Sequence, residues 1–305
     1  MLHTHRLCRL RPNLLGTDYV VGDVHGQWAM LQALLAAVGF DRSKDRLFSV
    51  GDLIDKGPDS EACLELLKTW RCFHAVLGNH EWMLRETHRG SKYAAALWER
   101  NEGDWLDQSD TIRFDWLRRL VDGMPIALEV PLRDGRRLGI IHAEVPRGWR
   151  WSEMKRLKPM PELATDYKAV DAWESALWAR TGAVVAIALS ERMLGDPIRI
   201  SAKTALHYEA PVADIDLVIS GHTPLPQRRP MLLANRLMID TGAYMAKGRL
   251  TLVDPLNRRC WQVANPAINL ELEVIEGSWP EGLSFEPARR LASGLPATEF
   301  KNDDG

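Results

Sequence analysis

Along this chain short apolar runs keep breaking off into a side chain that can bind a metal ion. Asp18 to Asp23 reads DYVVGD, Arg46 to Asp52 RLFSVGD, Phe73 to His80 FHAVLGNH and Asp216 to His222 DLVISGH. Arg137 to His142, RLGIIH, repeats the pattern without the glycine, and Leu237 to Ala243, LMIDTGA, is a weaker instance. Short β-branched runs flanked by turn residues mark buried strands. Helical spacing comes after the first strands, at Leu31, Leu34, Leu35 and Val38, then at Cys63, Leu66, Leu67 and Trp70. Pro58, Asp59 and Ser60 supply the start of the second helix. Strand, loop, helix and strand in alternation give βαβ units and an α/β fold class. In such sheets the loops at the carboxyl ends of the strands gather into one crevice. Asp23, His25, Asp52, Asp55, Asn79, His80, His142 and His222 should therefore meet. Asp23 and His25 point the same way if the chain leaves its strand extended, and the preceding glycine lets backbone come close where a Cβ would block it.

The donor set dictates the chemistry. Carboxylates mixed with imidazoles suit manganese, iron or zinc better than magnesium or calcium alone, and there are too many donors for one tetrahedral zinc. They fit two ions roughly 3.5–4 Å apart. Asp52, leaving a strand in the middle of the set, is the natural bridge. Such a pair lowers the pKa of a bridging water toward about 7 and holds a phosphate in line with it. The leaving alkoxide then needs a proton, which His80 can give as a general acid with Asp55 orienting its ring. Lys56 and Arg180 are candidates to neutralise the phosphate charge. His3, His5, His74, His88 and His207 lack the strand-end context and are read as ordinary histidines, Asp240 divides evenly between site and turn, and Glu81 is read as stabilising a helix start.

Other chemistries are excluded by their missing motifs. HEWML has Leu84 where a zinc-binding H-E-x-x-H needs its second histidine, and neither a phosphate-binding G-x-x-x-x-G-K-[ST] loop, a G-x-G-x-x-G turn nor a G-x-S-x-G elbow occurs. With 305 residues, 26% charged and a net charge of −2, the chain has the balance neither of a nucleic-acid binder nor of a membrane-surface protein. No apolar run approaches the roughly 20 residues of a membrane span, and MLHTHRLCRLRPN leads into no apolar stretch of a signal peptide. Four scattered cysteines with no C-x-x-C pair suit reduced thiols and a cytoplasmic location. The main domain is expected over residues 1–265, with helical, tryptophan-rich insertions at about 82–122 and 143–210. Their rings are read chiefly as core, and 266–305 as a loosely held, disordered tail.

Taken in order, GDVHG, GDLIDKGPDS, GNHE, HAE and SGHTP resemble the motif series of the phosphoprotein phosphatase branch of the calcineurin-like metallophosphoesterases, over about residues 17 to 255. SALWART around Arg180, and GHTP followed by IDTGA and GRLTLVD, bring the chain nearest the bacterial and bacteriophage lambda serine/threonine phosphatases. The resemblance implies two central mixed β-sheets flanked by helices. It also implies one ion on Asp23, His25 and Asp52, a second on Asp52, Asn79, His142 and His222, an acid dyad of His80 and Asp55, and Arg180 gripping phosphate with Asn79 beside it. A phosphorylated protein or peptide would be the substrate. Two departures stand out: Lys56 replaces the family's usual arginine, a point charge for a planar fork, and Glu144 puts a negative charge where relatives often have Gly or Asp, near the expected pocket mouth. The alternative is a bis(5'-nucleosyl)-tetraphosphatase-like hydrolase. Such enzymes share GDxHG and GNHE but typically lack an aspartate at the position of Asp55.

Overall fold

In the computed structural model, residues 7–157, 167–191, 193–195, 199–266 and 272–294 are described, the side chains of 167–170 excepted. His3 and His5 lie outside them. Two six-stranded mixed sheets form the centre. The first runs in the order β1 (Leu7–Arg9), β5 (Ala127–Pro131), β6 (Arg137–Ile141), β7 (Leu217–Ser220), β9 (Arg236–Met238) and β8 (Met231–Leu233). The second runs β12 (Val274–Gly277), β11 (Arg259–Ala264), β10 (Arg249–Asp254), β2 (Asp18–Val21), β3 (Arg46–Ser49) and β4 (Phe73–Ala75). The parallel strands β2, β3 and β4 are joined through α1 (Trp28–Ala37) and α2 (Ser60–Thr69), the βαβ arrangement that the helical spacing called for.

Side-chain alternation along the strands builds two core layers. Val20 and Phe48 face inward and pack with Leu138, Ile140 and Ile219 of the other sheet. Tyr19, Val21 and Leu47 face outward onto Leu31, Leu34 and Leu64 of α1 and α2. Cys63 joins that outer layer, fully buried.

The first insertion is helical, as expected: α3 (Asn79–His88), α4 (Lys92–Glu99), a 3₁₀ turn at Gly103–Trp105 and α5 (Thr111–Asp122). The second holds a 3₁₀ turn at Trp151–Arg156, then α6 (Tyr167–Trp178), α7 (Thr181–Ser190) and α8 (Ala202–His207). Most of the insertion tryptophans belong to the core layers, Trp98 and Trp151 wholly buried. The region expected to be a loosely held tail is different. Residues 272–294 include β12, antiparallel to β11, and α9 (Glu286–Ala292), which contacts α8 and buries Phe285 and Ala288 beside it. A few apolar side chains in a polar stretch suffice there because a preformed edge supplies the backbone partners. Residues 267–271 and 295–305 lie outside the described residues. No helix among the described residues is long and apolar enough to cross a membrane.

Candidate active site

Both sheets end at one cleft. β2 hands over to Asp23 and His25, β3 to Asp52, Asp55 and Lys56, β4 to Asn79 and His80, β6 to His142, β7 to His222 and β9 to Asp240. Five of these residues take left-handed backbone, His25 at φ 45°, Asp52 at 50°, Asp55 at 70°, Lys56 at 66° and His222 at 70°. Such conformations cost about 1–3 kcal/mol each and persist where the surrounding packing over-determines them. Gly221 explains one close approach: a Cβ there would lie 1.8 Å from Asp23 Oδ1. The backbone of the β7 loop therefore rests directly on the Asp23 carboxylate, whose Oδ2 accepts the His222 N–H at 2.9 Å.

Asp52 sits in the middle. His25 Nε2 and His80 Nε2 lie 3.7 and 3.9 Å from its Oδ2, and His142 Nε2 lies 3.4 Å from its Oδ1. Among the described residues donor atoms converge in two groups, His25, Asp52 and His80, and Asp52, His142 and His222, each within 4.8 Å. Asn79 Oδ1 lies 2.8 Å from His142 Nε2 and 3.0 Å from His222 Nδ1. Asp23, expected beside His25 and Asp52, falls in neither group, while His80 falls in the first. All of these residues are buried.

The histidines divide by what their other nitrogen holds. His25 Nδ1–H donates to Ile54 O at 2.9 Å, His142 Nδ1–H to Val50 O at 2.8 Å and His222 Nε2–H to Trp178 O at 3.1 Å. A backbone carbonyl fixes the tautomer and leaves the second nitrogen's lone pair facing the cleft. Burial holds all three imidazoles below their usual pKa. His80 instead donates Nδ1–H to Asp55 Oδ2 at 2.5 Å. Burial would lower its pKa, but Asp52 and Asp55 outweigh that and raise it.

The donor set fits cations. Among the described residues, Asp23 Oδ1 and Asp240 Oδ2 are buried without a hydrogen-bond partner, a costly state for a carboxylate unless positive charge meets it. Burial, with Asp240 and Asp52 adding to it, holds the Asp23 carboxyl well above its usual range, and burial pushes Asp240 up to about 6. Asp52 goes the other way: burial opposes its charge, but His142, His80, His25 and His222 together hold it below the usual range.

Among the described residues two cations border the cleft. Arg180 Nη1 donates to His222 O at 3.2 Å, and Lys56 Nζ stands 3.9 Å above the Tyr244 ring. Both line the same opening as His25, His80 and Asp240. Glu144 does not reach it. Its oxygens accept the Gly182 N–H at 2.6 Å and the Tyr208 hydroxyl at 3.0 Å, so the amino end of α7 draws it away from the pocket mouth. Three features go beyond the sequence reading, which took Glu81 as stabilising a helix start and left Asp240 even between site and turn. Glu81, at the start of α3, accepts the backbone N–H groups of Asp52, Leu53 and Gly78 and so ties two donor loops together. Asp240 joins the cleft. Trp98 and Trp105 donate to Asp55. A tryptophan inside an amphipathic insertion carries no mark that separates such a donor from a core ring.

Two mixed sheets with metal donors at their shared carboxyl end, opened to solvent beside two cations, define a metal-dependent phosphoesterase. The chain belongs to the calcineurin-like phosphoesterase family, whose profile matches residues 19–226, and is a hydrolase acting on phosphoric ester bonds. It is 36% identical over 239 residues to serine/threonine-protein phosphatase 1 of Salmonella typhimurium, an alignment covering 77% of this chain and 89% of that protein. It is 38% identical over 133 residues to the symmetrical bis(5'-nucleosyl)-tetraphosphatase of Shewanella baltica, covering 43% of this chain and 45% of that one. A solved protein serine/threonine phosphatase from Saccharomyces cerevisiae superposes with a TM-score of 0.51 at 14% identity, over 92% of this chain and 86% of that chain, a likeness of fold.

Proposed function

We propose that the chain removes phosphate from phosphoserine and phosphothreonine in proteins or peptides, using two divalent ions, manganese foremost. Asp23, His25 and Asp52 would hold one ion and Asp52, Asn79, His142 and His222 the other. When bound, such a pair supplies a nucleophile from water near neutral pH and offsets phosphate charge. The chain's own groups do the rest. Arg180 and Lys56 bind the phosphate oxygens, with Asn79 beside them. His80 gives a proton from Nε2 to the leaving oxygen while Asp55 holds Nδ1 and stabilises the charged ring.

The observation that carries this reading is the split among the imidazoles. Three hold neutral carbonyls, which suits ligands, and His80 alone among them holds a carboxylate, which suits an acid. A protonating dyad is needed most where the leaving group is an alkoxide, as in phosphoserine. Similarity to the Salmonella phosphatase over most of both chains supports the same substrate class. The match to the tetraphosphatase spans under half of either protein and leaves dinucleoside polyphosphates as the second reading. Four free thiols agree with a cytoplasmic setting.

The test is phosphate release by metal-stripped protein with manganese, magnesium or zinc added back, on a phosphoserine peptide and on diadenosine tetraphosphate side by side. Manganese-dependent release from the peptide is expected. Cleavage of the dinucleotide alone transfers the site to the second reading, and release that ignores chelation removes the ion assignment.

A further inference from the structure

Asp55 is completely buried, and three donors meet its carboxylate. Oδ2 accepts from His80 Nδ1 at 2.5 Å and from Trp98 Nε1 at 2.9 Å, and Oδ1 accepts from Trp105 Nε1 at 2.6 Å. The two indoles come from the first insertion, outside the strand-end loops that supply the metal donors and the dyad itself. A carboxylate held at one oxygen by a single imidazole can turn about its Cβ–Cγ bond, and the imidazole turns with it. Donors on both oxygens stop that rotation. Indole N–H is also donor-only, so neither ring can accept a proton from His80 or compete with it for one.

The insertion is built to hold these rings. Trp98 is wholly buried at the end of α4, stacked on Phe114 of α5 at 5.9 Å and 27°. Trp105 meets it edge-on at 6.5 Å and 90°. Between them the 3₁₀ turn lies on the Trp98 indole itself: a Cβ at Gly103 would be 2.3 Å from Trp98 Nε1. One short turn therefore sets both donors.

We infer that Trp98 and Trp105 are positioning residues of the acid dyad, fixing the Asp55 carboxylate and, through it, the direction in which His80 presents Nε2 to the leaving oxygen. The inference rests on the dyad reading given above. It makes the first insertion part of the proton-delivery apparatus of the reaction, and it predicts a dependence on leaving group. A serine alkoxide needs the proton as it departs, whereas p-nitrophenolate is stable enough to leave without it.

The experiment compares kcat on a phosphoserine peptide and on p-nitrophenyl phosphate for the manganese-loaded parent, Trp105→Phe, Trp98→Phe, Gly103→Ala and Asp55→Asn. Phenylalanine retains an apolar ring and removes only the N–H. General acids contribute about 10²- to 10⁴-fold, so a misdirected one should cost the tryptophan variants on the order of 10- to 100-fold on the peptide. On p-nitrophenyl phosphate the loss should stay within about threefold, because little proton transfer is needed there. Both rates come from one preparation, so any unfolded fraction lowers them alike and drops out of their ratio. Equal losses on both substrates, or none on either, in Trp105→Phe and Trp98→Phe overturn the inference while Asp55→Asn remains selective. If Asp55→Asn itself loses both rates alike, the dyad reading falls first.

Discussion

Gly221→Ala puts the strand-end pattern to a direct test. The new Cβ would stand 1.8 Å from Asp23 Oδ1 and 2.6 Å from Val50 Cγ2. Contacts of a real Cβ essentially never fall below 3.0 Å, so the Asp23 carboxylate must retreat by at least the 1.2 Å difference. Its Oδ2 is held by the His222 N–H, one residue beyond the substitution, so the retreat also strains that bond. A misplacement of about 1 Å can cost about 10²-fold in rate, or about 2.7 kcal/mol at 1.36 kcal/mol per decade. Overpacking adds about 1–3 kcal/mol of instability, a fall in melting temperature of about 2–5 °C for a chain of this size. The assay is kcat and the manganese concentration for half-activity, with melting measured in chelator so that lost ion binding does not count as lost stability. Gly282→Ala is the control, since a Cβ there meets nothing among the described residues within 4 Å. A folded Gly221→Ala enzyme with kcat and manganese requirement within about threefold of the parent would refute the claim that this backbone pins Asp23.

The remaining expectations are simpler. Manganese added to stripped protein should raise its melting temperature, by about 2.7 kcal/mol of stability at one hundred times the dissociation constant; an unchanged melting curve in calorimetry would contradict a folded-state ion site. Arg180→Ala should raise KM for phosphomonoesters more than it lowers melting temperature, with about 1.5–3 kcal/mol for a charge-assisted hydrogen bond lost, and steady-state kinetics with an unmoved KM would remove it from phosphate binding. Arg46→Ala breaks a largely buried pair in which Nε and Nη2 donate to Asp18 at 2.7 and 2.6 Å. Urea unfolding should show a loss of about 3 kcal/mol or more, and a loss under about 1 kcal/mol would place the pair among weak surface bridges. Burial pushes the Cys260 thiol up to about 12 and raises Cys63 as well. Alkylation of native protein should therefore mark Cys8 and Cys72 alone, read by peptide mass spectrometry, and labelling of Cys63 or Cys260 before unfolding would contradict their burial.

The pattern legible in the sequence was the one that repeats. The DYVVGD, RLFSVGD, FHAVLGNH and DLVISGH runs announce both a strand and the metal donor at its end, because a buried parallel strand must be apolar and its end must turn toward the shared crevice. Asp23, His25, Asp52, Asn79, His142 and His222 are brought together accordingly. Position within the crevice was less legible. The close grouping around His25 and Asp52 takes in His80 and leaves out Asp23, which the family resemblance sets there, since side-chain direction depends on left-handed backbone at His25 and Asp52. Glu144 stands two residues past a histidine donor in sequence but was claimed by a helix that begins thirty-odd residues later, near Gly182. β12 was missed because Val274–Gly277 has no buried alternation of its own and forms on the edge of β11. Trp98 and Trp105 were counted as core, correctly for their rings, while their N–H groups face Asp55 across more than forty residues of sequence.

The donors come from two sheets, and Asp52 touches imidazoles of both, His25 on its own side and His142 at 3.4 Å from the other. The cleft thus works as a gauge laid across a seam. Sliding one sheet past the other by a fraction of an ångström changes the spacing of the donors before it breaks any hydrogen bond within a sheet. The thickness of that seam is set by Val20 and Phe48 against Leu138, Ile140 and Ile219. These buried hydrocarbons, which supply no donor to the cleft, act as shims that calibrate the distance between the two halves of the site.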